Sequence, residues 1–209
     1  MAIVSPFVIG SFWMSGALAS FLMVAIAGRE LSDTMNTFQI VFIRSLVGFV
    51  IVLVVAGVKG RTLFRTARFK THLTRNVLHY SAQAGWFLGV SLLPLATVFA
   101  IEFTTPIWVA LMAVWFLGEK LNRGRWVAIL CGFGGTLIIL RPGLAVFDVG
   151  SMAVLWAAIG FASAYIFTKV LFDSDSPITI LLYMTGIQAI IDLVPGLVVW
   201  VELGVEDLV

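Results

Sequence analysis

The 209 residues are 61% hydrophobic and only 11% charged, with a mean hydropathy of +1.08, whereas a soluble domain carries about 25% charged residues. A chain this apolar is excluded from life in water, so its surplus must face lipid. The formal charge of +2 gives no case for a nucleic-acid partner. The one cysteine, Cys131, supplies neither a disulfide framework nor a metal-ligand cluster and reads as a small buried filler.

In chain order, charge-poor runs long enough to cross about 30 Å of hydrocarbon predict seven spans. They run from Phe7 to Ala27, Phe38 to Val58, Val77 to Leu95, Ala96 to Leu117, Trp126 to Leu140, Gly150 to Phe172 and Ile178 to Val201. The first run is too long for a signal peptide and lacks its basic start and cleavage pattern, so it is read as a span. Between the second and third spans lie Lys59, Arg61, Arg65, Arg68, Lys70 and Arg75. Leu63, Phe64, Phe69 and Leu73 interleave with these bases, a pattern expected to rest on anionic headgroups. The next loop on that side carries Lys120, Arg123 and Arg125, and the other side only Arg29 and Arg141. Positive loops stay inside, so the N-terminus is expected to be cytoplasmic.

Shifting the chain by 140 residues lays Gly10 and Ser11 on Gly150 and Ser151. Further on, Ala17, Phe21, Ile26, Leu31 and Asp33 meet their own kind at Ala157, Phe161, Ile166, Leu171 and Asp173. Ile40, Ile51, Leu53 and Val54 do so at Ile180, Ile191, Leu193 and Val194. Because five spans, an odd number, fit inside the offset, the second copy must start from the opposite side of the membrane. Residues 1–143 are expected to form a first five-helix unit and 144–209 the start of a second, of which two helices are present. The whole architecture then needs roughly 280 to 300 residues and ten spans, of which this chain holds seven.

From Leu93 onward the chain resembles the EamA-like transporters of the drug/metabolite transporter superfamily. The likeness rests on Leu93-Pro94-Leu95-Ala96, Thr104-Thr105-Pro106, Phe116-Leu117-Gly118-Glu119-Lys120, Arg125-Trp126, Gly132-Phe133-Gly134-Gly135 and Arg141-Pro142-Gly143. Arg44 in the second span and Arg75 at the start of the third also match. The resemblance implies an all-α polytopic bundle of two inverted five-helix units, in a bacterial inner membrane, that moves small metabolites. Helices eight to ten of that plan are missing from this sequence.

Ionisable groups inside a span are costly and therefore functional candidates. Arg44 and Glu102 each lie six residues into a span that starts at the outer face, so they share a depth of about 9 Å. Equal depth allows an ion pair or a common polar cavity. Pro106 lies four residues after Glu102 and is expected to free its carbonyl, clustering acceptors with Thr104 and Thr105. Asp192 lies about 13 Å from the outer end of the last span, with Pro195 close behind. Gln83, Trp86 and Tyr183 are weaker candidates for a cavity wall, and His79 is expected at the membrane interface. Gly16, Ala17 and Ser20, and Gly132, Gly134 and Gly135, are expected to permit close helix packing.

No P-loop occurs, so transport of an amino acid, amine or similar metabolite by alternating access would draw on a proton or sodium gradient. Neither a cofactor nor a metal site is called for, and a homodimer is left open. The alternatives are a seven-helix receptor or assembly subunit and, less favoured, an intramembrane enzyme, for which no nucleophile and base at matched depth are found.

Overall fold

The computed structural model describes residues 5–140 and 148–201, and Arg141, Pro142 and Gly143 lie outside them. Eight α-helices and no strand occur among the described residues: α1 (Pro6–Leu31), α2 (Thr37–Lys59), α3 (Phe69–Leu92), α4 (Leu95–Glu102), α5 (Thr105–Leu117), α6 (Arg123–Leu140), α7 (Val149–Leu171) and α8 (Pro177–Val198). Helices α4 and α5 are the two halves of one 23-residue span, so the bundle has seven rods. Five of these are long and apolar enough to cross a membrane by length and composition. A short 3-10 turn, Arg61–Phe64, links α2 to α3. The protein is a polytopic helical membrane bundle.

Local chemistry sets the helix ends. Asn36 accepts a hydrogen bond from Phe38 N at 3.0 Å to start α2, and Asp148 accepts from Ser151 N at 2.7 Å to start α7. Ser176 caps α8 with Pro177 in its first turn, where the missing N–H costs nothing. Gly118 ends α5 in the left-handed conformation, φ 65°.

The 140-residue offset reappears in the backbone. Helix α1 ends at Leu31 and α7 at Leu171, while α2 starts at Thr37 and α8 at Pro177. In both turns the fifth residue closes on the helix end, Met35 N to Leu31 O and Asp175 N to Leu171 O, each at 2.8 Å. The two turns sit at opposite ends of α3. Arg29, near the end of α1, donates to Ser91 O and Leu93 O where α3 finishes, whereas Arg68, just before α3, donates to Val170 O at the end of α7. Helices α1 and α7 therefore run in opposite directions.

Helix α3 makes its most extensive contact with α7, and α2 with α8. Small residues set both distances. A Cβ at Gly85 would lie 2.8 Å from the carbonyl oxygen of Ala153, and one at Gly160 would lie 2.7 Å from Ala82 Cβ. On the second pair, a Cβ at Gly196 would lie 2.8 Å from Phe42 Cβ. Backbones approach this closely only where side chains are absent.

Three expectations need correction. The close-packing glycines are those of α3, α7 and α8 and Gly28 of α1, because a Cβ at Gly16, Gly132, Gly134 or Gly135 meets nothing within 4 Å. Cys131 is exposed for the same reason, since it lies on α6 at the edge of the bundle. Finally, α3 starts at Phe69 rather than Val77. His72, Arg75 and Asn76 in its first turns are buried and bonded to α7, α8 and the turn between them, which hydropathy alone does not register.

Replacing Gly85 with Ala should destabilise the bundle by about 1 to 3 kcal/mol, because the clash is with backbone and not with a side chain that can turn aside. The same change at Gly132 should be close to neutral. Reversible unfolding in mixed micelles compares the two, and equal effects would contradict the seam.

Candidate functional site

Helix geometry brings three charged residues to one level. Arg44 lies seven residues past Thr37 and Glu102 seven past Leu95, so both are about 10 Å below the ends of their helices. Asp192 lies six residues before Val198, about 9 Å from that face and shallower than expected because α8 stops before Val201.

Arg44 and Glu102 line one cavity of about 370 Å³. Helix α3 contributes His79, Gln83, Trp86 and Phe87 to it, α1 contributes Phe21, and α7 contributes Phe161 and Tyr165. Among the described residues no ion pair joins Arg44 to Glu102. Among the described residues Glu102 Oε1 accepts only a long bond from Thr105, 3.5 Å, while its Oε2 is buried without a partner. The two polar atoms of the Gln83 carboxamide and the Trp86 Nε1 are likewise buried and unpartnered among the described residues.

Asp192 is placed differently. It is 1% exposed, does not line the cavity, and lies in the α2–α8 region with the Ser45 hydroxyl beside it. Neither of its oxygens has a hydrogen-bond partner among the described residues. Arg44, which lines the cavity, is near enough to Asp192 to act on it electrostatically.

Other expected site residues fall elsewhere. Pro106 stands in the first turn of α5, and the fourth rod breaks at Phe103 and Thr104. It therefore starts a new helix, where the sequence reading placed it inside one continuous span. Thr105 and Pro106 line a separate cleft of about 720 Å³ between α5, α6 and α7. Tyr183 does not reach the cavity. Its ring stacks on His72, with centroids 4.6 Å apart, and its hydroxyl donates to Phe64 O at 2.9 Å.

Sequence reasoning missed two features. His79 is on the cavity wall rather than at the interface, and accepts a hydrogen bond at Nδ1 from Gln188 Nε2 at 2.8 Å. The second is a polar lock at the end of the bundle where α3 begins. His72 Nε2 and Thr66 Oγ1 both bond Asp175 Oδ2 at 2.7 Å, with His72 and Asp175 buried. An ionised carboxylate only accepts, so both partners donate. Nearby, Arg75 donates to Thr168 Oγ1 at 2.6 Å and Asn76 to Tyr183 O at 3.3 Å. A signal was available: at offset 140, Asp175 occupies the turn position of apolar Met35.

At the same end Glu119, between α5 and α6, holds Lys169 of α7 and Arg125, the latter at 3.3 Å. The hydrogen bond from Lys169 keeps the Glu119 carboxyl below the usual carboxylate range, with Arg125 adding to the effect. This contact is thus retained at neutral pH and lost as pH falls through that lowered value.

The model of the EamA-like transporter family matches residues 8–141. An S-adenosylmethionine uptake transporter of Rickettsia bellii is 28% identical over 88% of this chain and 64% of its own length. A riboflavin transporter of Vibrio cholerae is 28% identical over 84% of this chain and 60% of its own length. Another riboflavin transporter, from Brucella anthropi, is 31% identical over 76% of this chain and 57% of its own. The chain thus spans less than two thirds of the length of these curated relatives.

The His72 to Asp175 contact should show a coupling of about 0.5 to 3 kcal/mol in a double-mutant cycle of His72→Ala with Asp175→Asn, because each alone leaves a buried polar group unpaired. Additive effects on reversible unfolding would mean that the lock carries no interaction energy.

Proposed function

The chain belongs to the EamA-like transporter family, and on that premise we propose that its central cavity carries a small polar metabolite across a bacterial inner membrane by alternating access. The observation that carries this reading is Arg44 and Glu102 at one depth on one cavity without pairing to each other. Unpaired charges inside a membrane protein are expensive and need a wet cavity or a ligand. One anionic and one cationic anchor about a common space suit a cargo carrying both an ammonium and a carboxylate, or a polar cargo with strong donors and acceptors.

Residues 1–143 act as one unit and residues from 144 on as the inverted start of a second. The antiparallel course of α1 and α7 supports this, as do the matched turns. Alternating access follows from such symmetry when one unit rocks against the other. The lock of His72, Asp175 and Thr66 then closes the end it occupies. That end carries Lys59, Lys70, Lys120 and Arg123 and faces the cytoplasm by the positive-inside rule, which puts the N-terminus there too. A proton or sodium gradient supplies the energy, with Asp192 as the coupling acid reached through Arg44.

The cargoes named for the relatives, S-adenosylmethionine and riboflavin, differ in charge and share a planar heteroaromatic ring, so they are the first probes to use. Glu102→Gln should lower uptake of the transported probe into proteoliposomes by about tenfold or more, since a charge-assisted contact is lost, while the yield of folded protein stays unchanged. Undiminished uptake would remove Glu102 from the mechanism. For orientation, a cysteine at Lys59 in a Cys131→Ser background should react with an impermeant maleimide only from the cytoplasmic side, and labelling from outside would reverse the topology.

A further inference from the structure

Arg44 and Glu102 account for recognition of charge, but they leave the neutral part of the cavity unexplained. Gln83 is 3% exposed, yet both its Nε2 and its Oε1 lack a partner among the described residues, and it lines the cavity. Burying a carboxamide with both ends unsatisfied is unfavourable, and such groups are retained where water or a ligand completes them. The surroundings are aromatic. Trp86, one turn along α3 on the same face, has its ring centroid 5.1 Å from that of Phe21 and 5.2 Å from that of Phe87. All three line the cavity, and the Trp86 Nε1–H is itself without a partner among the described residues.

We infer that Gln83 reads the edge of a planar heteroaromatic ring that carries a hydrogen-bond donor and an acceptor side by side, while Trp86 and Phe21 supply the apolar wall the ring lies against. This deepens the transport reading above and rests on it. A carboxamide presents its own donor and acceptor in one plane about as far apart as the two edge atoms of such a ring. This is why glutamine and asparagine pair in bidentate fashion with the amino group and ring nitrogen of adenine. An aliphatic cargo would satisfy neither atom in register, and a plain hydrocarbon ring would leave both unpaired. Discrimination of this kind is strong because the unpaired partner is buried. The cavity volume of about 370 Å³ lies within the range of small-molecule sites.

Tritiated adenosine is the probe. Purine riboside, which lacks the exocyclic amine and so the donor, is the competitor, and the chain is held in lipid nanodiscs. Adenosine should bind saturably, and purine riboside should compete about tenfold more weakly, as loss of one hydrogen bond predicts. In Gln83→Leu the two should become equal within about twofold. Trp86→Leu should weaken both alike and keep the gap. Should Gln83→Leu fail to fold, the preference of the unaltered chain decides alone. Absence of saturable adenosine binding, equal competition in the unaltered chain, or a gap that survives in Gln83→Leu overturns the inference. Parallel uptake of S-adenosylmethionine and riboflavin into proteoliposomes separates the two readings. Uptake without edge discrimination leaves transport standing and removes the role of Gln83. Edge discrimination without uptake keeps the binding role and removes transport.

Discussion

The close approach of α3 to α7 is the contact on which the rest of the molecule depends. Lipid tails are as apolar as leucine, so helices in a bilayer associate through tight packing and polar contacts rather than by expelling water. Gly85, Gly89 and Ala82 on one helix and Gly150, Ala153 and Gly160 on the other let the backbones meet. That seam fixes where the polar face of α3 points. Near its start, His72, Arg75 and Asn76 find partners on α7, α8 and the turn between them. Farther along the same helix, Gln83 and Trp86 find none among the described residues, and there the cavity opens.

Much of the bundle was legible in the sequence because a span announces itself locally. The hydropathy of α2, α7 and α8 depends on nothing outside those segments, and the 140-residue offset carries one hairpin turn onto the other. Depth was legible too, since counting from a helix end places Arg44 and Glu102 at one level without knowledge of what they touch. What could not be read was anything settled by distant partners. His72 meets Asp175 across 103 positions of chain, so the polar beginning of α3 looked like loop. Tyr183 looked like cavity wall because its stacking on His72 is equally remote. Gly132 and Gly85 are indistinguishable as letters, and only the neighbouring helix separates a crowded glycine from an open one. Pro106 is consistent with either a kink or a new start, and the backbone chose the start.

The two hairpin turns share their backbone hydrogen bonds and differ in one buried side chain, Met35 at one and Asp175 at the other. An apolar corner holds by packing alone, whereas an acidic corner holds only while its donors stay in place. The ends of the bundle therefore close by different chemistry: a backbone clasp from Arg29 at one and a side-chain network around Asp175 at the other.

The break between α4 and α5 has an electrostatic consequence. Peptide dipoles align along each helix, leaving a partial negative charge where α4 stops and a partial positive one where α5 resumes. Both termini come within three residues of Glu102, beside the cavity that Glu102 lines. Part of the local field therefore belongs to the main chain itself, and it persists when every nearby side chain is neutral.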